Sequence, residues 1–327
     1  MLAYLVQIEA PLFKRLSAHN IALFQALLVT FLWSTSWVLI KIGLVDIPAL
    51  TFAGLRYSLA FLCLLPLALR RSQRQALRDI NRRQWLLLVL YGLGFYAIVQ
   101  GAQFVGLAYL EAATVSLLLS FTSIIVAFMG LSWLGERPGW LGWFGIALSV
   151  LGGLVFFFPP AFASRQLFGL SVVAIGVFAN AGSSVLGRHI NHRENLPPLQ
   201  VTTVSMGIGG ALLLLGGGIL QGLPSLKFVH WLIILWLAVV NTAFAFTLWN
   251  HTLRTLAAME SSIINNTMLI QIALLAWIFL GESLSAQEWS GMFLAALGTL
   301  LVQLRPPRAT LTVSDSEPGR QQDPRIG

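Results

Sequence analysis

The residues best suited to chemistry are polar side chains that recur at helical spacing within long apolar segments. Thr30, Ser34, Trp37 and Lys41 follow an i, i+4, i+7, i+11 pattern and so share one face of a helix. Lipid cannot satisfy polar groups, which must therefore face other helices or a water-filled cavity. We predict a polar cavity between helices, with these candidate substrate-binding residues: Trp33, Ser34, Trp37, Tyr96, Gln100, Ser116, Ser120, Asn180, Asn241, Asn265, Asn266 and Gln271.

Each candidate also has a structural interpretation. A Ser or Thr hydroxyl can bond to its own helix backbone, and an interhelical hydrogen bond in a membrane contributes about 0.6 kcal/mol. The amides of Gln100, Asn265 and Asn266 offer more donors and acceptors than a hydroxyl, which favours cavity lining. Trp33 and Trp37 fit either an aromatic cavity wall or anchors at the membrane interface.

Four ionisable residues are candidates for gating or ion coupling, because a charge at a helix centre costs about 2.5–3.5 kcal/mol. Arg56 lies early in the second apolar segment and also fits a structural role, snorkelling outward or bonding to a helix-end carbonyl. Glu111 and Glu260 each begin the second helix of a hairpin, where a carboxylate is favourable. His251 ends a segment, where a basic group is favourable.

The sequence has no motif for several common kinds of catalysis. It contains no Gly-x-x-x-x-Gly-Lys-Ser/Thr loop, no His-Glu-x-x-His pair and no Gly-x-Ser-x-Gly elbow. Cys63 is the single cysteine, so a disulfide or cysteine–metal framework is excluded. We therefore expect a protein that is not an enzyme and has neither cofactor nor metal.

The composition of the chain indicates whether it lies in water or in a lipid bilayer. Of 327 residues, 57% are hydrophobic and 10% are charged, with a mean hydropathy of +0.80. Soluble domains carry about 25% charged residues, so a soluble enzyme and a disordered chain are both excluded. The net charge of +8 comes from basic residues between apolar segments, which act as orientation signals. We predict the lipid bilayer and a small-molecule substrate as partners, and no nucleic acid.

Ten apolar segments are long enough to cross a membrane as helices. They span about 21–42, 49–69, 85–106, 109–133, 140–158, 168–187, 199–220, 229–250, 256–280 and 289–304. With both termini in the cytoplasm, sixteen of the 20 Lys and Arg residues fall on the cytoplasmic side and two outside. We expect 1–20 to be a cytoplasmic or interfacial segment without a cleavable signal, and 305–327 to be a disordered cytoplasmic tail.

The chain also repeats itself at an offset of 146 residues. "LGERPGWLGWFGIALSVLGG" begins at Leu134, and the related "LGESLSAQEWSGMFLAALGT" begins at Leu280. Both copies carry small residues four apart, which let helix backbones approach closely in lipid. The predicted repeats, 21–158 and 168–304, have five helices each, and the odd number inverts the second. Inverted repeats are typical of secondary transporters, with the substrate site near the membrane midplane.

Over roughly 20–304 the chain resembles the EamA family of the drug/metabolite transporter superfamily. The resemblance rests on "LWSTSWVLIKIGL" at 32–44, Pro48, "LRYSLAFL" at 55–62, and the paired "LGE" turns. It implies a carrier of small organic solutes, often an exporter of amino acids or related metabolites, with a cavity lined by helices one, three, four, six, eight and nine. Ser123 and Leu269 stand where many members carry Pro.

We therefore predict an all-α integral membrane protein of ten transmembrane helices in two inverted five-helix repeats. It would be a secondary transporter in the inner (plasma) membrane that exports small organic solutes by alternating access. A channel-like permease and a non-transport membrane scaffold are the alternatives. Coupling to a proton or another ion, and the oligomeric state, are left open by the sequence.

Overall fold

The computed structural model describes residues 18–134, 139–160, 162–194, 196–252, 255–256 and 258–303. Within these ranges the regular elements are all helices, as predicted. The ten long helices are α1 (Ala18–Gly43), α2 (Ala49–Ala68), α3 (Arg82–Tyr109), α4 (Ala112–Ser120 and Thr122–Leu134), α5 (Trp140–Phe157), α6 (Ser164–Arg193), α7 (Pro198–Leu220), α8 (Phe228–Ala238, Val239–Phe244 and Ala245–Thr252), α9 (Ala258–Asn266 and Met268–Leu280) and α10 (Ala286–Gln303).

Helix length and apolarity agree with a protein that crosses the membrane many times. Among the described residues, nine helices, α1 to α9, are long and apolar enough to span a bilayer. The tenth predicted span, α10, is a helix of 18 residues whose first turn carries Gln287 and Glu288. The predicted terminal segments lie outside the described residues, except that 18–20 form the start of α1.

Helices α5 and α10 pack with their backbones in close contact. A Cβ atom placed on Gly145 would lie 2.7 Å from the carbonyl oxygen of Gly298. One placed on Gly291 would lie 2.7 Å from the carbonyl oxygen of Gly152. This confirms that the small residues allow close approach. The two contacts are interchanged by the sequence offset of 146 residues.

Helices α2 and α7 form a second closely packed pair. A Cβ on Gly54 would lie 2.4 Å from the backbone of Leu214, and one on Gly217 would lie 2.4 Å from the backbone nitrogen of Thr51. The side chain of Gln200 adds a hydrogen bond of 3.0 Å to the carbonyl oxygen of Ala68.

Four of the remaining helices are irregular. The α-helical pattern of α4 is interrupted at Phe121 and that of α9 at Thr267, positions that are again 146 residues apart. Helices α3 and α8 each contain a π-helical segment, Gly92–Val99 and Val239–Phe244. Proline causes none of these changes, because each of the four segments lacks it. Such irregular helices are frequent at functional sites, and in transporters broken helices form the substrate site.

Candidate functional site

A polar cavity of about 440 Å³ lies between the helices, and all four irregular helices contribute to its wall. Residues from α1, α2, α6 and α10 complete that wall. Eight of the twelve predicted binding residues line this cavity: Trp33, Trp37, Gln100, Ser116, Ser120, Asn180, Asn265 and Asn266. They come from five different helices, so the fold brings together side chains that are far apart in the sequence.

The other four predicted binding residues are in helix contacts rather than at the cavity wall. Ser34 donates a hydrogen bond of 3.0 Å to the side-chain oxygen of Gln271, which joins α1 to α9. Asn241 of α8 donates to the carbonyl oxygen of Leu32 in α1. Tyr96 is buried and packs against neighbouring aromatic rings. The contacts of these four residues agree with the alternative interpretation, in which polar side chains hold helices together.

Further polar residues line the cavity that were not among the twelve candidates. They are Ser36, Tyr57, Gln103, Thr122, Ser123 and Gln303. Helical spacing places two of them on the same helix faces as chosen candidates, because Gln103 follows Gln100 at i+3 and Ser123 follows Ser120 at i+3. Tyr57 and Gln303 lie in segments whose hydropathy pattern singles out no polar face.

Hydrogen bonds across the cavity wall link different helices. The hydroxyl of Tyr57 in α2 donates to the side-chain oxygen of Gln100 in α3 at 2.6 Å. Asn180 of α6 donates to the Thr122 hydroxyl of α4 at 3.2 Å. The wall therefore presents hydroxyl and amide groups that are already oriented, and each amide retains further donors and acceptors for a bound solute.

Arg56 is the one charged side chain among the described residues that line the cavity. Only 4% of it is exposed, which does not fit outward snorkelling, one of the structural roles considered for it. Its Nε donates to the hydroxyl of Thr242 in α8 at 3.2 Å, and its guanidinium carbon lies 5.2 Å from the centre of the Tyr57 ring. The guanidinium is held between α2 and α8, beside the polar groups of the cavity.

A second cluster, which we call the Glu282 network, consists of Glu282, Lys41, Ala112 and Ala113. Glu282 lies in the turn between α9 and α10, and both its carboxylate oxygens accept a hydrogen bond of 2.9 Å from the backbone amide of Ala112. The Ala113 amide lies 3.4 Å from one of them. The Lys41 amine lies 3.9 Å from the carboxylate and donates to the carbonyl oxygen of Leu110. The network therefore joins α1, the start of α4 and the α9–α10 turn.

Glu111 is the residue that precedes the first turn of α4, as expected, but it does not supply the hydrogen-bonded carboxylate there. Its side chain makes no capping hydrogen bond, and Glu282 supplies that carboxylate instead. Partial burial raises the pKa of Glu111, with further contributions from the negative charges of Glu282 and Glu288. The nearby positive charge of Lys41 opposes this rise in the pKa of Glu111. Glu111 is thus a repelled carboxylate at the edge of the network.

The other two gating candidates lie away from the cavity wall. Glu260 is in the first turn of α9, with a carboxylate oxygen 3.2 Å from the ring nitrogen of His19 in α1. His251 is exposed in the last turn of α8. Across the part of the chain that the structure describes, no three His, Cys, Asp or Glu side chains converge as metal ligands would.

The long apolar helices of the described residues define a multi-pass membrane protein, and a polar cavity between such helices is where transporters bind their substrates. The model of the EamA-like transporter family matches the chain at residues 20–158 and again at 167–304. The chain belongs to the EamA-like transporter family, which confirms the resemblance seen in the sequence.

Similar proteins are named as transporters. The uncharacterized transporter YoaV of Bacillus subtilis is 22% identical, over 84% of this chain and 93% of its own length. The uncharacterized inner membrane transporter YedA of Escherichia coli K12 is 26% identical, over 86% and 90%. An S-adenosylmethionine/S-adenosylhomocysteine transporter of Chlamydia trachomatis is 24% identical, over 81% and 83%. One solved crystal structure shares the fold, with a TM-score of 0.63 and 18% identity over 88% of this chain and 97% of its own.

Proposed function

We propose that this protein is a secondary transporter that exports small organic solutes, such as amino acids or related metabolites, by alternating access. The observation that carries this proposal is the cavity of about 440 Å³, to whose wall all four irregular helices contribute. A cavity of that size suits a metabolite, and its wall offers amides, hydroxyls and aromatic rings. The names of the relatives agree with transport, and the name of YedA agrees with an inner-membrane location.

Alternating access requires two halves that can exchange roles, and several contacts support an inverted repeat. The glycine contacts between α5 and α10 are interchanged by the offset of 146 residues. The Ser149 hydroxyl lies 3.5 Å from the carbonyl oxygen of Ala295, its own counterpart at that offset. A residue that contacts its counterpart lies close to a two-fold axis. The family model also matches the chain twice, over 20–158 and 167–304.

The Glu282 network is suited to act as the gate on the outer side. It ties a turn of the second predicted repeat to two helices of the first, one helical turn beyond Ser116 of the cavity wall. With cytoplasmic termini, this closed outer gate corresponds to a cavity that opens towards the cytoplasm.

The test is counterflow in proteoliposomes. Vesicles would be loaded with unlabelled amino acids or small metabolites, and entry of the same solute, labelled and at trace concentration outside, would be followed. We expect transient accumulation of label with one class of solute, at a saturable rate. Vesicles with the Gln100→Ala variant test the cavity in the same assay, because this change removes one amide of the wall and should raise KM.

Other outcomes of the same assay favour the alternatives. Rapid equilibration of label without saturation or counterflow would indicate a channel-like permease. Accumulation with none of the solutes, in vesicles that contain folded and inserted protein, would count against a carrier and favour a non-transport scaffold. Imposed proton gradients of either sign would test ion coupling in the same vesicles.

A further inference from the structure

We propose that Arg56 binds the carboxylate of the transported solute, and that the solute is a monoanionic carboxylic acid with an apolar or aromatic body. This inference rests on the proposed transport function and specifies the substrate class of the same cavity. It follows from the charge balance of the cavity, the unused donors of the guanidinium and the nature of the surrounding side chains.

The first step concerns charge. Arg56 is buried, and no described Asp or Glu forms an ion pair with it or lines the cavity. A buried charge is costly unless it is paired and hydrogen-bonded, and intramembrane charges commonly mark substrate pathways. The side chain that Arg56 does bond to, Thr242, is neutral and compensates no charge. The missing negative charge is therefore best supplied by the solute.

The second step concerns hydrogen bonds. A guanidinium has five N–H donors in a planar fork that matches a carboxylate in bidentate geometry. In Arg56 the described contacts use Nε, which donates to the Thr242 hydroxyl, so the terminal nitrogens are left for a ligand. The Nε1–H of Trp33, another residue of the cavity, is also buried and lacks a partner among the described residues. Unpartnered donors call for an acceptor-rich ligand.

The third step distinguishes between kinds of anion and solute body. One uncompensated cation matches one negative charge, which favours a carboxylate over a doubly charged phosphate ester. The rings of Trp33, Trp37, Phe95 and Phe246 contribute to the wall and favour an apolar or aromatic body. The described wall holds no acidic side chain to pair with an ammonium group. An acid without an amine should thus bind at least as well as the corresponding amino acid.

The test uses ligands that share a phenyl body and differ in charge. Binding to the purified full-length protein would be measured by titration calorimetry and by the ligand-induced rise in Tm. We expect 3-phenylpropionate and phenylalanine to bind, and phenethylamine, 3-phenylpropanol and phenyl phosphate to bind at least tenfold more weakly. Equal or tighter binding of the amine or the alcohol would overturn the proposal, as would an absence of binding by 3-phenylpropionate.

Variants locate the binding to one side chain. Arg56→Gln should weaken binding of 3-phenylpropionate by about 10- to 100-fold, as expected for the loss of charge-assisted hydrogen bonds. Arg165→Gln is the matched control, because Arg165 stands over the Tyr109 ring outside this cavity and its loss should leave binding unchanged. Unchanged affinity in a folded Arg56→Gln protein would overturn the proposal.

A milder variant keeps the test decisive if Arg56→Gln does not fold. Thr242→Val retains the cation and removes the hydroxyl that orients it, so it should weaken binding of 3-phenylpropionate several-fold. A folded Thr242→Val protein with parental affinity would count against an oriented guanidinium site. Counterflow of another solute without binding of the acid would refute this inference and leave the transporter proposal standing. Binding of the acid without counterflow of any solute would refute the transporter proposal and leave the carboxylate site at Arg56 standing.

Discussion

Replacement of Glu282 by Gln should destabilise the proposed outer gate. The carboxylate is 8% exposed and accepts hydrogen bonds of 2.9 Å from the Ala112 amide through both oxygens. Gln keeps one acceptor oxygen and loses the negative charge that faces Lys41 and the start of α4. Hydrogen bonds to charged groups contribute about 1.5–3 kcal/mol. Since 1.4 kcal/mol is a factor of ten, the population with an open outer gate should rise about 10- to 100-fold.

The assay follows access to the cavity from outside. In a Cys63→Ala background, which removes the single native thiol, Ser116→Cys places a thiol on the cavity wall one turn from the network. Spheroplasts would be treated with a membrane-impermeant maleimide, and the initial labelling rate would be measured by gel shift. We expect this rate to rise about 10- to 100-fold when Glu282→Gln is added, because labelling follows the population of the open state.

The matched control is Glu288→Gln. Glu288 lies just beyond the same turn but bonds only locally, accepting from the amide and hydroxyl of Ser285 at 2.7 Å. Its replacement makes the same change in charge and should leave the labelling rate within about twofold of the parent. The gating argument fails if Glu282→Gln leaves labelling unchanged, or if Glu288→Gln accelerates it equally.

Three further predictions concern packing, the cavity and pH. Gly298→Ala places a Cβ 2.3 Å from a backbone nitrogen of α5, and this overpacking should cost about 1–3 kcal/mol and lower Tm. Gly216→Ala meets nothing within 4 Å, and a Tm loss there equal to that of Gly298→Ala would contradict the packing argument. Gln100→Ala removes a cavity amide and should raise KM in counterflow, whereas Gln271→Ala should lower stability by about 0.6–1.7 kcal/mol with little change in KM; an unchanged KM for Gln100→Ala, or a KM raised only by Gln271→Ala, would refute the site assignment. Because the pKa of Glu111 is raised, the folded protein binds the proton of this carboxyl more strongly than the unfolded chain does. The stability that the bound proton contributes is therefore lost as pH rises above the ordinary pKa of 4.5. Glu111→Gln should therefore flatten the pH profile of Tm between pH 4.5 and neutrality and raise Tm at neutral pH, and a parental profile would exclude this linkage.

The sequence by itself determined the membrane class, the helices and two helix faces on which small residues allow close packing. Spanning length and hydropathy are local properties of each segment, so the helices can be predicted without knowledge of their neighbours. Small residues four apart, Gly145 with Ser149 and Gly291 with Ala295, likewise indicated close backbone approach. The structure places this approach between α5 and α10. The EamA resemblance rested on short motifs of the same local kind.

Only the tertiary structure decided which polar side chains meet in the cavity. Helical spacing gives a shared face but not the rotation of that face in the bundle. Ser34 and Trp37 were therefore grouped together, yet Ser34 bonds to Gln271 in α9 while Trp37 lines the cavity. The sequence likewise did not show that Arg56 faces the interior, where its side chain donates a hydrogen bond to the Thr242 hydroxyl of α8.

The start of α4 shows the same limit for charges. Local reasoning assigned its stabilising carboxylate to Glu111, the residue beside it in the sequence. The structure supplies it from Glu282, 170 residues after Ala112 in the chain. A carboxylate is favourable near any helix N-terminus, and the sequence therefore identified the need for one. Which carboxylate meets that need depends on how the two halves pack together.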